Sequence, residues 1–377
     1  MAGDLTNANQ IVKNRVVVAM SGGVDSSVAA ALLVEQGYEV IGMMMRLWSE
    51  PGMVDSRFVN RCCTPDQMAD ARRIADQLNI PFYVLDTKEH FRQTIVQFFI
   101  DEHAQGRTPN PCIECNRQIR FTYLLDQALA LDANYLATGH YARIRQTENG
   151  YQLLKGIDET KDQSYVLHVL TQAKLAQTLF PVGEYTKVEV RELARKFNLP
   201  VASKHDSQDL CFLSDGDYRR FLRQYNPDSH SPGVILDGDG RTLGQHTGLS
   251  FYTIGQRKGL GISAPEPLYV LRKDPAQNAL IVGPREQLGQ RELVAYDVNW
   301  MAGNAPDTPI RAQVKIRYKA AGGEAVVKSV SGGQVHVQFD EPVLGITAGQ
   351  GAVFYDGDVC LGGGIISKTE TETARQT

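Results

Sequence analysis

Hydrophobic and polar positions along the first 140 residues follow two alternating rhythms. Arg15 to Met20 is a short β-branched run. After Ser21-Gly22-Gly23, the apolar positions Val28, Ala29, Leu32 and Leu33 recur at helical spacing. Tyr38 to Leu47 reads as a second buried strand. Thr64-Pro65-Asp66-Gln67 has the form of a capping box with proline at the first helical position, and Met68, Ala71, Ile74 and Leu78 then share one face. Ile80 to Asp86 predicts a strand, Lys88 to His103 a helix and Cys115 to Leu131 another helix. Asn134 to Thr138 is strand-like and runs into Gly139-His140. Such strand–helix alternation predicts an α/β fold, a parallel sheet covered on both faces.

From about 151 to 226 the pattern is more helical. Thr186-x-x-Glu189 is a second capping box, and Val190, Leu193, Ala194 and Phe197 follow at helical spacing. Tyr218, Phe221, Leu222 and Tyr225 form another stripe, which predicts core packing. Past Pro227 glycine, proline and aspartate become dense. From about 291 the chain reads as short alternating strands: Arg311 to Tyr318, Ala325 to Val330, Gln334 to Phe339 and Ala352 to Tyr355. Turn dipeptides Gly332-Gly333 and Asp356-Gly357 separate some of them. An all-β C-terminal domain is predicted, a barrel rather than a sandwich, with a polar tail from Ser367.

Apolar runs such as Val16 to Met20 and Val28 to Val34 are far shorter than the roughly 20 residues a bilayer-spanning helix needs. The first fifteen residues carry Asp4, Asn7, Asn9 and Gln10 and no apolar core, so neither membrane nor export is expected. The expected location is cytoplasmic. Lysine and arginine total 39 against 43 aspartates and glutamates, a net charge of −4, and no region is strongly basic. Bulk charge therefore does not predict nucleic-acid binding, and an RNA site has to be a local patch. The six cysteines, at 62, 63, 112, 115, 211 and 360, do not suggest a disulfide framework in a chain of this size.

Two constellations carry chemistry. Ser21-Gly22-Gly23-Val24-Asp25-Ser26-Ser27 lies between the first strand and the first helix, where open α/β sheets bind ligands. Its glycines allow a tight turn, and the helix start offers N–H groups to an anion. A capped turn is the plainer reading of any Gly-Gly pair. The second constellation is Asn110-Pro111-Cys112-Ile113-Glu114-Cys115-Asn116. Pro111 suits the first helical position, so Cys112 and Cys115 fall at a helix start, where the dipole favours thiolate by about 0.3–1 kcal/mol. A further thiol, Cys211, follows Ser207-Gln208-Asp209-Leu210 and the polar residues Lys204, His205 and Asp206. The Cys-x-x-Cys pair has no second pair to complete a zinc site. Cys62, Cys63 and Cys360 lack such context and read as structural.

The string SGGVDS resembles the loop of ATP pyrophosphatases, which split ATP into AMP and pyrophosphate; no Walker A string occurs. The chain as a whole resembles the tRNA-specific 2-thiouridylases. The resemblance rests on AMSGGVDSS (19–27), GRTPNPCIECN (106–116), ATGHYAR (137–143), KDQSY (161–165), DSQDLCF (206–212), GQRKGLG (255–261), KIRY (315–318) and FYDGDVCLGGGII (354–366). It implies a Rossmann-like catalytic domain over 1–215, a small central domain over 216–288, a β-barrel over 289–368 and a tail over 369–377. It implies ATP and Mg²⁺ as reactants, and as partners tRNA, through uridine 34 of its anticodon stem-loop, and a sulfur-relay protein or cysteine desulfurase. In such enzymes ATP adenylates the C2 oxygen of the uridine and sulfur replaces it. The resemblance makes Cys211 the persulfide carrier and Cys115 the nucleophile, the two ending as a disulfide that a reductant reopens. It assigns Ala19, Met20, Ser21, Gly22, Gly23, Val24, Asp25, Ser26, Met45 and Gly139 to ATP. It assigns Asn110, Pro111, Cys112, His140, Lys161, Asp162, Gln163, Arg317, Tyr318 and Gln350 to tRNA, the base being splayed from its loop to react. GQRKGLG fits either a phosphate contact or a turn.

Many relatives carry aspartate where this chain has Cys112, so acid/base work assigned to that aspartate does not transfer to a thiol with an ordinary pKa near ~8.5. Three thiols, Cys112, Cys115 and Cys211, then suggest a second reading, a [4Fe-4S] cluster carrying the sulfur. Two remoter readings are an ATP-dependent amidating synthetase and a tRNA-binding module with a vestigial nucleotide fold. The first would need a glutaminase, and Ala2 after Met1 leaves no N-terminal nucleophilic cysteine. The second would tolerate loss of Cys115 and Cys211.

Overall fold

The computed structural model describes residues 14–50, 64–204, 210–213, 215–227 and 230–369, with the backbone alone for 368 and 369. Cys62, Cys63, His205 to Asp209 and the tail beyond 369 lie outside the described residues.

Strand β1 (Arg15–Ala19) is the centre of a five-stranded parallel sheet. Its order is β3 (Phe82–Asp86), β2 (Glu39–Arg46), β1, β4 (Tyr135–Ala137), β7 (Thr178–Leu179). The two-residue period of a strand decides what each valine of β1 meets. Val16 and Val18 join helix α1 (Val24–Glu35) in one apolar cluster. Val17 joins Phe121, Leu124 and Leu125 in another. Burial on both faces explains why β1 reads as an unbroken apolar run. Helix α1 is itself buried from Val24 to Leu33, apart from Asp25, because α7 (Lys187–Lys196) covers its outer side.

Both capping boxes form. Thr64 caps α2 (Pro65–Gln77) by accepting from the Gln67 amide, and Thr186 caps α7 by accepting from the Glu189 amide. Two long helical runs, α3 (88–104) and α4 (111–129), contain wider π-type turns at Arg92–Val96 and Cys115–Leu124. The run α4 is kinked at Phe121 (φ −101°, ψ 18°). It starts at Pro111 with Asn110 as N-cap, so Cys112 is in the first turn and Cys115 begins the next one. The first-turn position expected of both thiols thus holds for Cys112, whereas Cys115 lies one turn on and is buried.

A second sheet, of four strands, has the order β10 (Tyr269–Asp274), β11 (Ala279–Gly283), β8 (Gly233–Leu236), β9 (Thr242–His246). Helix α8 (Tyr218–Tyr225) precedes it. Its Phe221 and Leu222 pack in one cluster with Ile235, Val270 and Leu280 of this sheet and with Trp48, Phe91 and Phe99 of the first region.

The third sheet closes on itself as the ring β12 (Gly289–Trp300), β15 (Gln334–Leu344), β14 (Gly323–Val330), β13 (Ile310–Lys315), β16 (Gly351–Asp356), β17 (Val359–Thr369), with β17 returning to β12. It is the predicted barrel. Its interior takes every second residue, such as Val335, Val337 and Phe339. The strand read as Arg311 to Tyr318 stops at Lys315, and Arg317 and Tyr318 lie in the turn that follows.

The segment read as helical from 151 begins instead with a hairpin. Strands β5 (Ala142–Thr147) and β6 (Gly150–Lys155) pair antiparallel, and β6 adds to β17 through Leu154–Val359 and Leu153–Cys360. The pairing is local, across a turn at Glu148-Asn149 that the Asn149-Gly150 dipeptide signals, and β17 adds only two residues to the edge of β6.

Candidate active site

The Ser21–Ser27 loop leaves the carboxyl end of β1. Gly22 holds φ +67°, and a Cβ there would lie 2.3 Å from the Gln67 carbonyl oxygen, so only glycine fits between loop and α2. The Ser26 hydroxyl accepts from the Ser21 amide (3.1 Å), and the Ser27 hydroxyl donates to the Gly23 carbonyl (2.6 Å). Gly23 caps α1 without a side-chain hydrogen bond. Gly139, at the end of β4, closes the other side: a Cβ on it would stand 2.7 Å from the Ser26 nitrogen. The resulting cradle is shaped by backbone and suits phosphate oxygens.

Two lysines that the sequence reading did not single out approach this cradle. The ammonium of Lys187, first residue of α7, lies 2.7 Å from the Asp25 carboxylate, which also accepts from the Tyr141 hydroxyl (2.7 Å). Lys204 donates to the Gly22 carbonyl (2.9 Å) and to Asp70 (3.0 Å). Their one sequence signal was the Thr186 capping box, which fixes where α7 begins and so where Lys187 points.

The thiol-bearing residues are linked to this loop through β2. Met43 pairs with Ala19, and Met45, two residues on, belongs to the same apolar cluster as Cys115, Cys211, Phe212 and Leu213. Cys115 is buried, Cys211 half-buried and Cys112 exposed. Asn110 accepts from the Cys112 amide (3.1 Å), while Pro111 is buried. The segment ahead of Cys112 is tied to the barrel: the Thr108 amide donates to the Ala348 carbonyl (2.9 Å), and Gln350 donates to the Thr108 carbonyl (2.7 Å).

The remaining residues assigned to tRNA make a few contacts among themselves and with their neighbours. Gln163 accepts from the Tyr141 amide (3.0 Å), next to His140. Lys161 and Tyr318 meet where the tyrosine hydroxyl approaches the Lys161 carbonyl (3.5 Å). Burial, and then the charges of Asp162 and Cys112, push the Tyr318 hydroxyl up to about 12. Several of these side chains face inward. His140 is buried against Phe121 and Phe180, 2.6 Å from Thr138, and burial, with the Arg120 charge, pushes its pKa down to about 3. Asp162 is buried and accepts from the Gly156 and Ser164 amides. Arg317 spends one guanidinium nitrogen on the Ile254 and Gly345 carbonyls and the Thr347 hydroxyl. These three shape the surface from behind.

Cys360 departs least from expectation: it is wholly buried, and burial pushes its thiol up to about 12. Among the described residues no three His, Cys, Asp or Glu side chains are gathered where they could hold a metal ion. Among the described residues no helix is long and apolar enough to cross a membrane.

Comparison with known proteins adds three family models. Residues 14–215 match one described as "tRNA methyl transferase HUP domain", residues 219–284 its "PRC-barrel domain", and residues 290–366 an "Aminomethyltransferase beta-barrel domain". A protein of Caldanaerobacter subterraneus named tRNA-specific 2-thiouridylase MnmA 2 is 48% identical over 357 residues, 94% of this chain and 98% of that one. One of Magnetococcus marinus, named tRNA-specific 2-thiouridylase MnmA, is 50% identical over 355 residues, 93% of this chain and 98% of that one. Among solved structures, the U34-tRNA thiolase NcsA from Methanococcus maripaludis is 20% identical, with a TM-score of 0.35 over 57% of this chain and 68% of that one.

Proposed function

The chain belongs to the family of tRNA-specific 2-thiouridylases, and on that footing we propose that it makes 2-thiouridine at position 34 of tRNA at the expense of ATP. The observation that carries this reading is that β1, which ends in the Ser21–Ser26 cradle, pairs with β2, whose Met45 belongs to the apolar cluster holding Cys115 and Cys211.

The chemistry explains the link. A ring carbonyl oxygen is a poor leaving group. Attack of the C2 oxygen of uridine 34 on the α-phosphorus of ATP expels pyrophosphate and leaves that oxygen bonded to AMP. The cradle amides and Lys187 stabilise the departing charge. Cys211 enters the cycle as a persulfide, loaded by a sulfur-relay protein or cysteine desulfurase. The Cys115 thiolate attacks the inner sulfur of Cys211, forming the Cys115–Cys211 disulfide and releasing hydrosulfide. Hydrosulfide adds at C2, and AMP leaves with the former carbonyl oxygen. A dithiol reductant then returns two electrons and two protons to the disulfide. Burial of Cys115 keeps water from competing for the activated base.

Mg²⁺ would come with the nucleotide and offset charge on its phosphates, while the Asp25 carboxylate is held by Lys187 and Tyr141. The rim of Asn110, Cys112, Lys161, Gln163, Tyr318 and Gln350 takes the splayed anticodon, with Pro111, His140, Asp162 and Arg317 holding its shape. ATP and tRNA as reactants support a cytoplasmic location. The persulfide route needs only the two thiols Cys115 and Cys211; a [4Fe-4S] cluster carried by Cys112, Cys115 and Cys211 is the second reading, and iron and sulfide analysis of anaerobically purified protein separates the two.

The test is incubation with unmodified tRNA, ATP and a persulfide donor, followed by nucleoside mass spectrometry. One sulfur gained at uridine 34 is expected. Cys115→Ser and Cys211→Ser should each cut 2-thiouridine at least about 100-fold while tRNA-dependent AMP release persists. Serine variants that still thiolate tRNA would overturn these roles.

A further inference from the structure

Cys211 lies on a stretch of chain outside any helix or strand, yet sulfur transfer needs its sulfur in a fixed relation to Cys115. We infer that Arg220, on α8, is a positioning residue for sulfur transfer, clasping Glu50 and Asp215 so that the Cys211 segment is held against Cys115. The inference rests on the function proposed above.

The geometry is that of a three-way clasp. Arg220 meets Glu50 through both terminal nitrogens (2.8 and 2.7 Å) and Asp215 through Nε and Nη2 (2.6 and 3.1 Å). Glu50 has a side chain only 1% exposed. A buried carboxylate is tolerated only when paired, and a forked pair fixes direction as well as distance. Glu50 follows the stretch that leaves β2 past Met45, and Asp215 lies four residues after Cys211. One guanidinium therefore joins the stretch that leaves β2 to the segment that follows Cys211.

Apolar contacts around the clasp leave it little play. Trp48 meets Phe221 and Tyr225 edge-on, at 6.3 and 5.7 Å between ring centres. Phe212, next to Cys211, meets Phe91, Phe99 and Phe221. Rings resist separation but tolerate sliding; the forked ion pair sets the register. None of its three members belongs to the phosphate cradle, so adenylation should not depend on it.

The readout is the rate at which diamide, taking two electrons and two protons from the two thiols, joins Cys115 to Cys211 in the full-length protein, followed by peptide mass spectrometry. Arg220→Ala should slow this at least about 10-fold, with Arg220→Lys intermediate because an ammonium cannot fork. Release of AMP with tRNA should stay within about twofold, a split that general loss of structure would not give. A disulfide rate within about twofold of the parent overturns the inference. Where Arg220→Ala fails to fold, Asp215→Asn decides by the same readout: about threefold slowing supports the clasp and an unchanged rate removes it. A parent protein that forms the disulfide but no 2-thiouridine refutes the proposed function while the rate still judges the clasp.

Discussion

Around Ser21–Ser27 the contacts that shape the loop join neighbours in one sheet: β1 supplies the loop, β4 leads into Gly139, and the Ser26 and Ser27 hydroxyls bind the loop's own backbone, one accepting from an amide and one donating to a carbonyl. Around Cys115 and Cys211 they join distant segments, a helix start, an irregular stretch and α8, through aromatic rings and one ion pair. Activation of the base is thus preorganised by the fold's local geometry, whereas sulfur delivery is assembled by tertiary contacts. A fixed phosphate site loses catalytic power with small shifts, since transition-state charge needs donors already in place. A thiol that must be loaded by one protein and then spent inside another pocket needs a segment that can be reached.

The sharpest way to break the contrast is to deform the preorganised end. Gly139→Ala puts a Cβ 2.7 Å from the Ser26 nitrogen and 2.8 Å from the Asp25 carbonyl carbon. AMP release should fall about 100-fold, while diamide still joins Cys115 to Cys211 at the parent rate. A smaller effect is expected of Lys187→Ala, which removes one charged donor beside Asp25. The KM for ATP should rise about 10-fold, with sulfur loading on Cys211 unchanged. The mildest test uses pH. His140 is held near 3 by burial, far below its unfolded value of about 6.5. Between these values the unfolded chain binds the extra proton, so stability rises with pH and is lost on acidification from pH 6.5 downward. Denaturant unfolding at pH 7 and pH 5 should differ by roughly 1–2 kcal/mol less in His140→Gln than in the parent.

The same contrast explains how much could be read from the chain. The loop, its strand and its helix are local, so β-branched residues, two glycines and a helical stripe announced them within twenty residues. The barrel was legible for the same reason, through turns and alternation. Assignments such as Lys187, Lys204 and Arg220 were not, since each acts on residues more than a hundred positions away. His140 and Asp162 matched family positions but turned inward, because burial is set by what packs on a residue rather than by its motif. The hairpin β5–β6 was legible locally through Asn149-Gly150 but its strands are short and mixed in polarity; what the chain did not announce is the two-residue addition to β17.

That hairpin has a consequence for synthesis. The edge of β6 is finished by Val359 and Cys360, roughly 200 residues downstream. At typical ribosomal speeds of about 5–20 residues per second, the nascent hairpin waits for tens of seconds with an open edge. A ribosome stalled near the end of this message would therefore release a chain whose nucleotide half is formed but whose unfinished ladder is ready to join another copy.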